Sequence, residues 1–220
     1  MKLTEFDLDL PKADPDERRD FRWQIRCVGD LYARCFSSFG PTRARKVLVQ
    51  CVPVVSRLEV VDQLGVLCQE ASFELKKFQA ADAYRRKVMA LEVLQRGVLA
   101  VAKAEHWPLP PFEAARQGVI EKNYVNQWTW PKPVASANKQ WRAHLSCSHD
   151  TDAFTAWLVV LSKDGEVVAK KQAFTEAPNE FIFVPFLGSV KWTGERKVTL
   201  LAKNGKKVAD LTVPADSSSR

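Results

Sequence analysis

A change of hydrophobic period across a run of prolines constrains this chain more than any other feature of its sequence. Up to Ala104 the apolar residues recur every three or four positions, the spacing of one helix face. From Gln140 onward they alternate, the spacing of a half-buried strand. Between the two lies His106-Trp107-Pro108-Leu109-Pro110-Pro111, where successive prolines remove amide donors and push their neighbours into extended geometry. The expected class is α+β, an N-terminal helical bundle followed by a C-terminal antiparallel β-sandwich or small barrel. The expected divisions are an N-terminal extension over 1–15, the bundle over 16–106, a Pro/Trp-rich connector over 107–138, the β domain over 139–214 and a disordered tail over 215–220.

Within the helical region, Asp14-Pro15-Asp16-Glu17 reads as an acidic cap with proline at the first helical position. Phe21, Ile25, Val28, Leu31 and Tyr32 then keep a helical period to about Phe36. After the turn residues Ser37 to Thr42, a second helix is expected through Val47, Leu48, Cys51, Val55, Leu58, Val61, Leu64 and Cys68, kinked or split at Pro53. A third is expected from Phe78 to Ala104, and a short one at Phe112 to Gln117 after the proline run. In the β region, strands are expected at 141–148, 154–161, 167–174, 180–184, 197–202 and 207–213. Asp164-Gly165 and Asn204-Gly205 separate two pairs of them and suit tight hairpin turns.

The chain of 220 residues is 46% hydrophobic and 27% charged, enough to bury a core and too ordered in pattern for a disordered tail. It has no run of about 18 uncharged apolar residues. Its first residues, Met1-Lys2-Leu3-Thr4-Glu5-Phe6-Asp7, lack the basic-then-apolar order of a secretory signal, so a cytoplasmic protein without a membrane partner is expected. Five cysteines without a C-x-x-C pair suit reduced, buried thiols. Lys and Arg number 33 against 26 Asp and Glu, a formal charge of +7 that favours acidic partners.

Catalytic motifs are absent: there is no Gly-rich phosphate loop, no G-x-S-x-G, no H-E-x-x-H and no GxGxxG after a strand. Potential metal ligands cluster only at His144, Cys147, His149, Asp150 and Asp152. Alternation puts His144 on the face opposite Cys147 and His149, so a polar strand end with an Asx turn accounts for them better than a metal site. No cofactor and no metal are expected, and a nonenzymatic role is favoured over an enzyme with an unrecognised site at the domain seam.

The basic groups carry the functional expectation. Arg22 and Arg26 share one face of the first helix, Arg43, Arg45 and Lys46 crowd the expected start of the second, and Arg85, Arg86 and Lys87 form a run on the third. Arginines just inside a helix N-terminus make a receptor for phosphate or carboxylate, and converging groups would hold RNA or DNA without base specificity. The plainer account is a solvated helix face. Trp107, Trp128 and Trp130, interleaved with cations near the boundary, are the expected partner-binding rings, against an alternative in which they pack the seam. The leading expectation is a nonenzymatic adaptor for nucleic acid or a nucleoprotein. The alternative is an inhibitor or immunity-type module covering an acidic protein surface.

The turn Phe39-Gly40-Pro41-Thr42-Arg43-Ala44-Arg45, the apolar-periodic stretch after it, and Lys76-Lys77-Phe78-Gln79-Ala80-Ala81-Asp82-Ala83 leading into Leu91 and Leu94 resemble one known family. It comprises small basic four-helix-bundle proteins, including the accessory variability proteins of diversity-generating retroelements. The resemblance covers roughly residues 16–104. It implies a nonenzymatic, homo-oligomeric partner of nucleic acid or of a polymerase, and it has no counterpart for the β domain.

Overall fold

The structure, a computed structural model, describes residues 1–215 and forms two compact units, Met1–Asn126 and Gln127–Arg220. The first unit is built on a mixed sheet. In chain order it contains β1 (Glu5–Asp9), α1 (Pro15–Cys35), β2 (Lys46–Val52), β3 (Val61–Gln63), β4 (Val66–Ser72), α2 (Leu75–Ala80), α3 (Ala83–Ala104) and α4 (Pro110–Glu121). The strand order is β1-β2-β4-β3, with β1, β2 and β4 parallel and β3 antiparallel to β4. Phe6, Val47 and Leu67 stand in one row across the sheet, and join Phe21, Ile25, Leu91, Leu94 and Phe112 in a single core. Gly97 lets α3 lie directly on β2, since a Cβ there would sit 2.4 Å from Val49 Cγ2.

This arrangement replaces the expected N-terminal helical bundle. The stretch read as a second helix is three strands, and the cause lies in its residues. Val47, Val49 and Cys51 are buried in alternation with Lys46, Leu48 and Gln50, a period of two that a three-and-four spacing also happens to sample. Valines at 47, 49, 52, 61 and 66 suit extended backbone, where a branched side chain is not crowded against a preceding turn. Leu64 and Gly65, at φ 55° and 84°, close a tight turn between β3 and β4. The expected N-terminal extension is also corrected: residues 5–9 form β1, with Phe6 and Leu8 buried beside β2.

The short helix expected at 112–117 is present, and longer, as α4. Pro110 and Pro111 occupy the first turn of α4, where the missing amides have no helical partner to lose. Two elements met their expectation closely in residue terms: Asp14 caps α1 by accepting from the amides of Asp16 and Glu17, and α3 ends at Ala104.

The second unit contains β5 (Asn126–Ala135), β6 (Trp141–His149), β7 (Phe154–Ser162), β8 (Val167–Glu176), α5 (Glu180–Phe183), β9 (Ser189–Trp192), β10 (Lys197–Leu201) and β11 (Lys207–Thr212). Strands β5-β6-β7-β8 make one sheet and β11-β10-β9 another, and both contribute to one core around Leu145, Phe154, Leu158, Val198 and Leu200. Pro131 and Pro133 are tolerated in β5 because it is an edge strand, where absent amide donors need not break a ladder. The expected strand at 180–184 is instead a helical turn: the Asn179 side chain accepts from Phe181 N and turns the chain inward at Phe183. The tail residues 216–220 lie outside the described residues. Among the described residues no helix is long and apolar enough to cross a membrane.

Candidate functional site

The cations singled out from sequence are held by local partners. On β1, Glu5, Asp7 and Asp9 point to one face, and a row of bases covers them. Arg45 Nε lies 3.2 Å from Glu5, Lys46 Nζ donates to Asp7 at 2.8 Å, and Arg22 stands 4.0 Å from Asp7. Arg18 grips Asp9 with two parallel hydrogen bonds of 2.7 and 2.5 Å. Arg43 reaches both Glu105, at 2.7 Å, and Asp62, at 2.6 Å. That pairing holds the Glu105 carboxyl below its usual range and the guanidinium above its own. No helix starts at Thr42, whose hydroxyl donates to Ala44 O, so Arg43, Arg45 and Lys46 have no helix N-terminus to enrich. Arg86 donates to Phe78 O, Gln79 O and Gln24 Oε1. Arg26 lies on α1 and Lys87 on α3.

The tryptophans divide similarly. Trp107 stacks on Phe112 in the first unit, and Trp128 packs 5.7 Å from Phe154 in the second. Trp130 keeps much of its surface outside, at 41% exposure. Cys147 and His149 are buried in the core of the second unit, while His144 points to the opposite face of β6. Among the described residues no three ligating side chains gather around a point where a metal ion could sit.

Arg85 differs from its neighbours. Its side chain lines a cleft of about 600 Å³ at the carboxyl ends of β2 and β4, between Pro53, Phe73, α2 and α3. Such crevices form where parallel strands end and the flanking helix continues past them, a recurrent place for ligands in sheets of this kind. Arg85, Met89, Glu92 and Arg96 fall at successive turns of α3 and make its wall. Phe73 and Met89 supply apolar surface among the charged groups.

The charges along that wall alternate and are not paired with one another. Arg96 donates to Ser72 O at 2.7 Å, and among the described residues neither Arg85 nor Arg96 has a carboxylate within ion-pair distance. Lys77 and Glu74 on the far rim satisfy each other at 2.8 Å. The cleft therefore presents two guanidinium groups carried on backbone positions about 16 Å apart along the helix axis, with one carboxylate between them in sequence. The spacing of 85, 89, 92 and 96 was present in the sequence as a helix stripe. It was obscured because Arg85-Arg86-Lys87 reads first as a run of like charge, and only the fold shows that these three residues face different surroundings.

No family model matches the chain, and neither a curated protein nor a solved structure is similar to it.

Proposed function

We propose that the protein is a nonenzymatic binding module whose first unit receives an acidic segment of a protein partner in the α3 cleft. What supports this is Arg85 and Arg96: two guanidinium groups turned into one concave surface without carboxylates of their own, while most of the other expected phosphate contacts are matched to acids or carbonyls. A partner carboxylate can pair with each arginine in fork geometry, and an apolar partner side chain between them can cover Phe73 and Met89. Glu92 then selects against a second negative charge at the centre. An extended segment of about five residues spans the distance between the arginines.

An array of heptapeptides probed with the full chain tests this. Bound peptides should carry two acidic residues four or five positions apart with an apolar residue between. The double variant Arg85→Glu, Arg96→Glu should shift selection to basic peptides. Absence of selection, or the same selection by parent and variant, would remove the proposal.

A further inference from the structure

In the second unit the core lies against one face of the β5-β6-β7-β8 sheet, and the other face presents a different chemistry. Cross-strand pairing sets Ser146, Trp157 and Gln172 in one row and His144, Val159 and Lys170 in the next. Trp157 is half-buried, with Ser146 and Gln172 beside it in its row and buried His144 and Val159 in the next, and Lys170 Nζ lies 5.2 Å from the centroid of its ring. Charge on this sheet is one-sided. From Asn126 to Ala135, Trp141 to His149 and Phe154 to Ser162 there is no Asp or Glu, and β8 has only Glu176 at its end.

Two cations on this face have no carboxylate partner among the described residues: Lys170, which rests on the Trp157 ring, and Arg142, which donates to Lys163 O at 3.1 Å. Gln172 Nε2 donates to Thr175 Oγ1 at 3.0 Å, which orients the amide and leaves its oxygen as an acceptor beside the ring.

We propose that this sheet face binds single-stranded nucleic acid, with a base stacked on Trp157 and the flanking phosphates held by Lys170 and, further along the strand, Arg142. The ring supplies a flat apolar surface that every base can use, and the flexible ammonium can leave the ring for a phosphate without breaking an ion pair. Bases within a duplex are stacked on one another and offer no face to Trp157, so single strands are the favoured form. The Gln172 oxygen can accept from a base amino group at the edge of the stack. Combined with the first unit, this makes the chain a link between an acidic protein and a nucleic acid, but the two surfaces stand on separate observations.

Fluorescence anisotropy of the full chain with a fluorescein-labelled twenty-nucleotide oligo(dT) or oligo(rU) is the test. Binding at low salt should weaken about tenfold in Trp157→Ala, with Trp157→Phe recovering part of the loss. Lys170→Ala should lower the slope of log affinity against log salt by about one. Lys170→Glu, an exposed change that leaves the core intact, keeps the test decisive if Trp157→Ala fails to fold. Failure to bind at low salt, equal affinity in the parent and the Trp157 or Lys170 variants, or tighter binding of a duplex of the same length would overturn the proposal.

Discussion

His144 shows how a single residue can carry a consequence that its position in the chain does not announce. It points away from the core, yet it is only 8% exposed, and its Nδ1 has no hydrogen-bond partner among the described residues. Burial disfavours the imidazolium and pushes its pKa below the ordinary value. The unfolded chain therefore binds a proton more readily than the folded one as pH falls past about 6.5. The stability that neutral His144 contributes is present above that pH and is lost as pH drops toward the folded value. Urea midpoints between about pH 5 and 7 should fall with acidity, and His144→Gln should flatten that fall. An unchanged pH slope in the variant would show that the group does not titrate differently on folding. The same residue also limits what sequence could show: alternation on β6 places it on the opposite face from Cys147 and His149, but does not reveal that its own ring is nearly closed to water.

At the scale of elements, legibility followed the strength of local chemistry. The start of α1 was readable because Asp14 and Pro15 act on the backbone within one turn, and the turns at Asp164-Gly165 and Asn204-Gly205 were readable because positive φ, 93° at Gly165 and 82° at Gly205, is a local demand. Strand β2 was not, because Val47 and Cys51 are four apart and satisfy a helix face as well as a strand face. What decides between them is β1 and β4 on either side, and pairing with residues so distant in sequence leaves no mark within the segment. The same reason hid β1, whose acids made residues 1–15 look like a solvated extension. Yet Leu3, Phe6, Leu8 and Leu10 are each at most 5% exposed, and Asp7 and Asp9 anchor Lys46 and Arg18. A chain lacking residues 1–10 should lose this edge of the sheet along with four core side chains, each worth about 1.5–3 kcal/mol when buried. Its first unit should then show no cooperative thermal transition, while a true extension could be removed without shifting the midpoint.

At the scale of the molecule, both the core and the charge divide. The first core draws on residues no later than Tyr124, and the second has none before Trp128, so no apolar side chain is shared between them. The first unit holds 20 basic and 17 acidic side chains and the second 13 and 9, so the basic excess sensed in composition is spread over both. What differs is its placement. In the first unit acids on β1 neutralise bases on α1 and β2, whereas the β5-β6-β7-β8 sheet has almost no acid to do so. Neither distribution could be read from a running charge count, because Glu5 and Arg45 or Asp7 and Lys46 meet only after the sheet forms. Independent cores of ordinary domain size predict independent folding. The dividing point matters, because Asn126 Nδ2 donates to Cys27 O at 3.0 Å and belongs with the first unit. Expressed separately, Met1–Asn126 and Gln127–Arg220 should each unfold cooperatively in urea, with the second retaining the near-ultraviolet signal of the stacked Trp141 and Trp192, whose centroids lie 6.1 Å apart. A fragment that gives only a gradual, non-cooperative loss of signal would mean that its core, though closed in residue membership, draws stability from the rest of the chain.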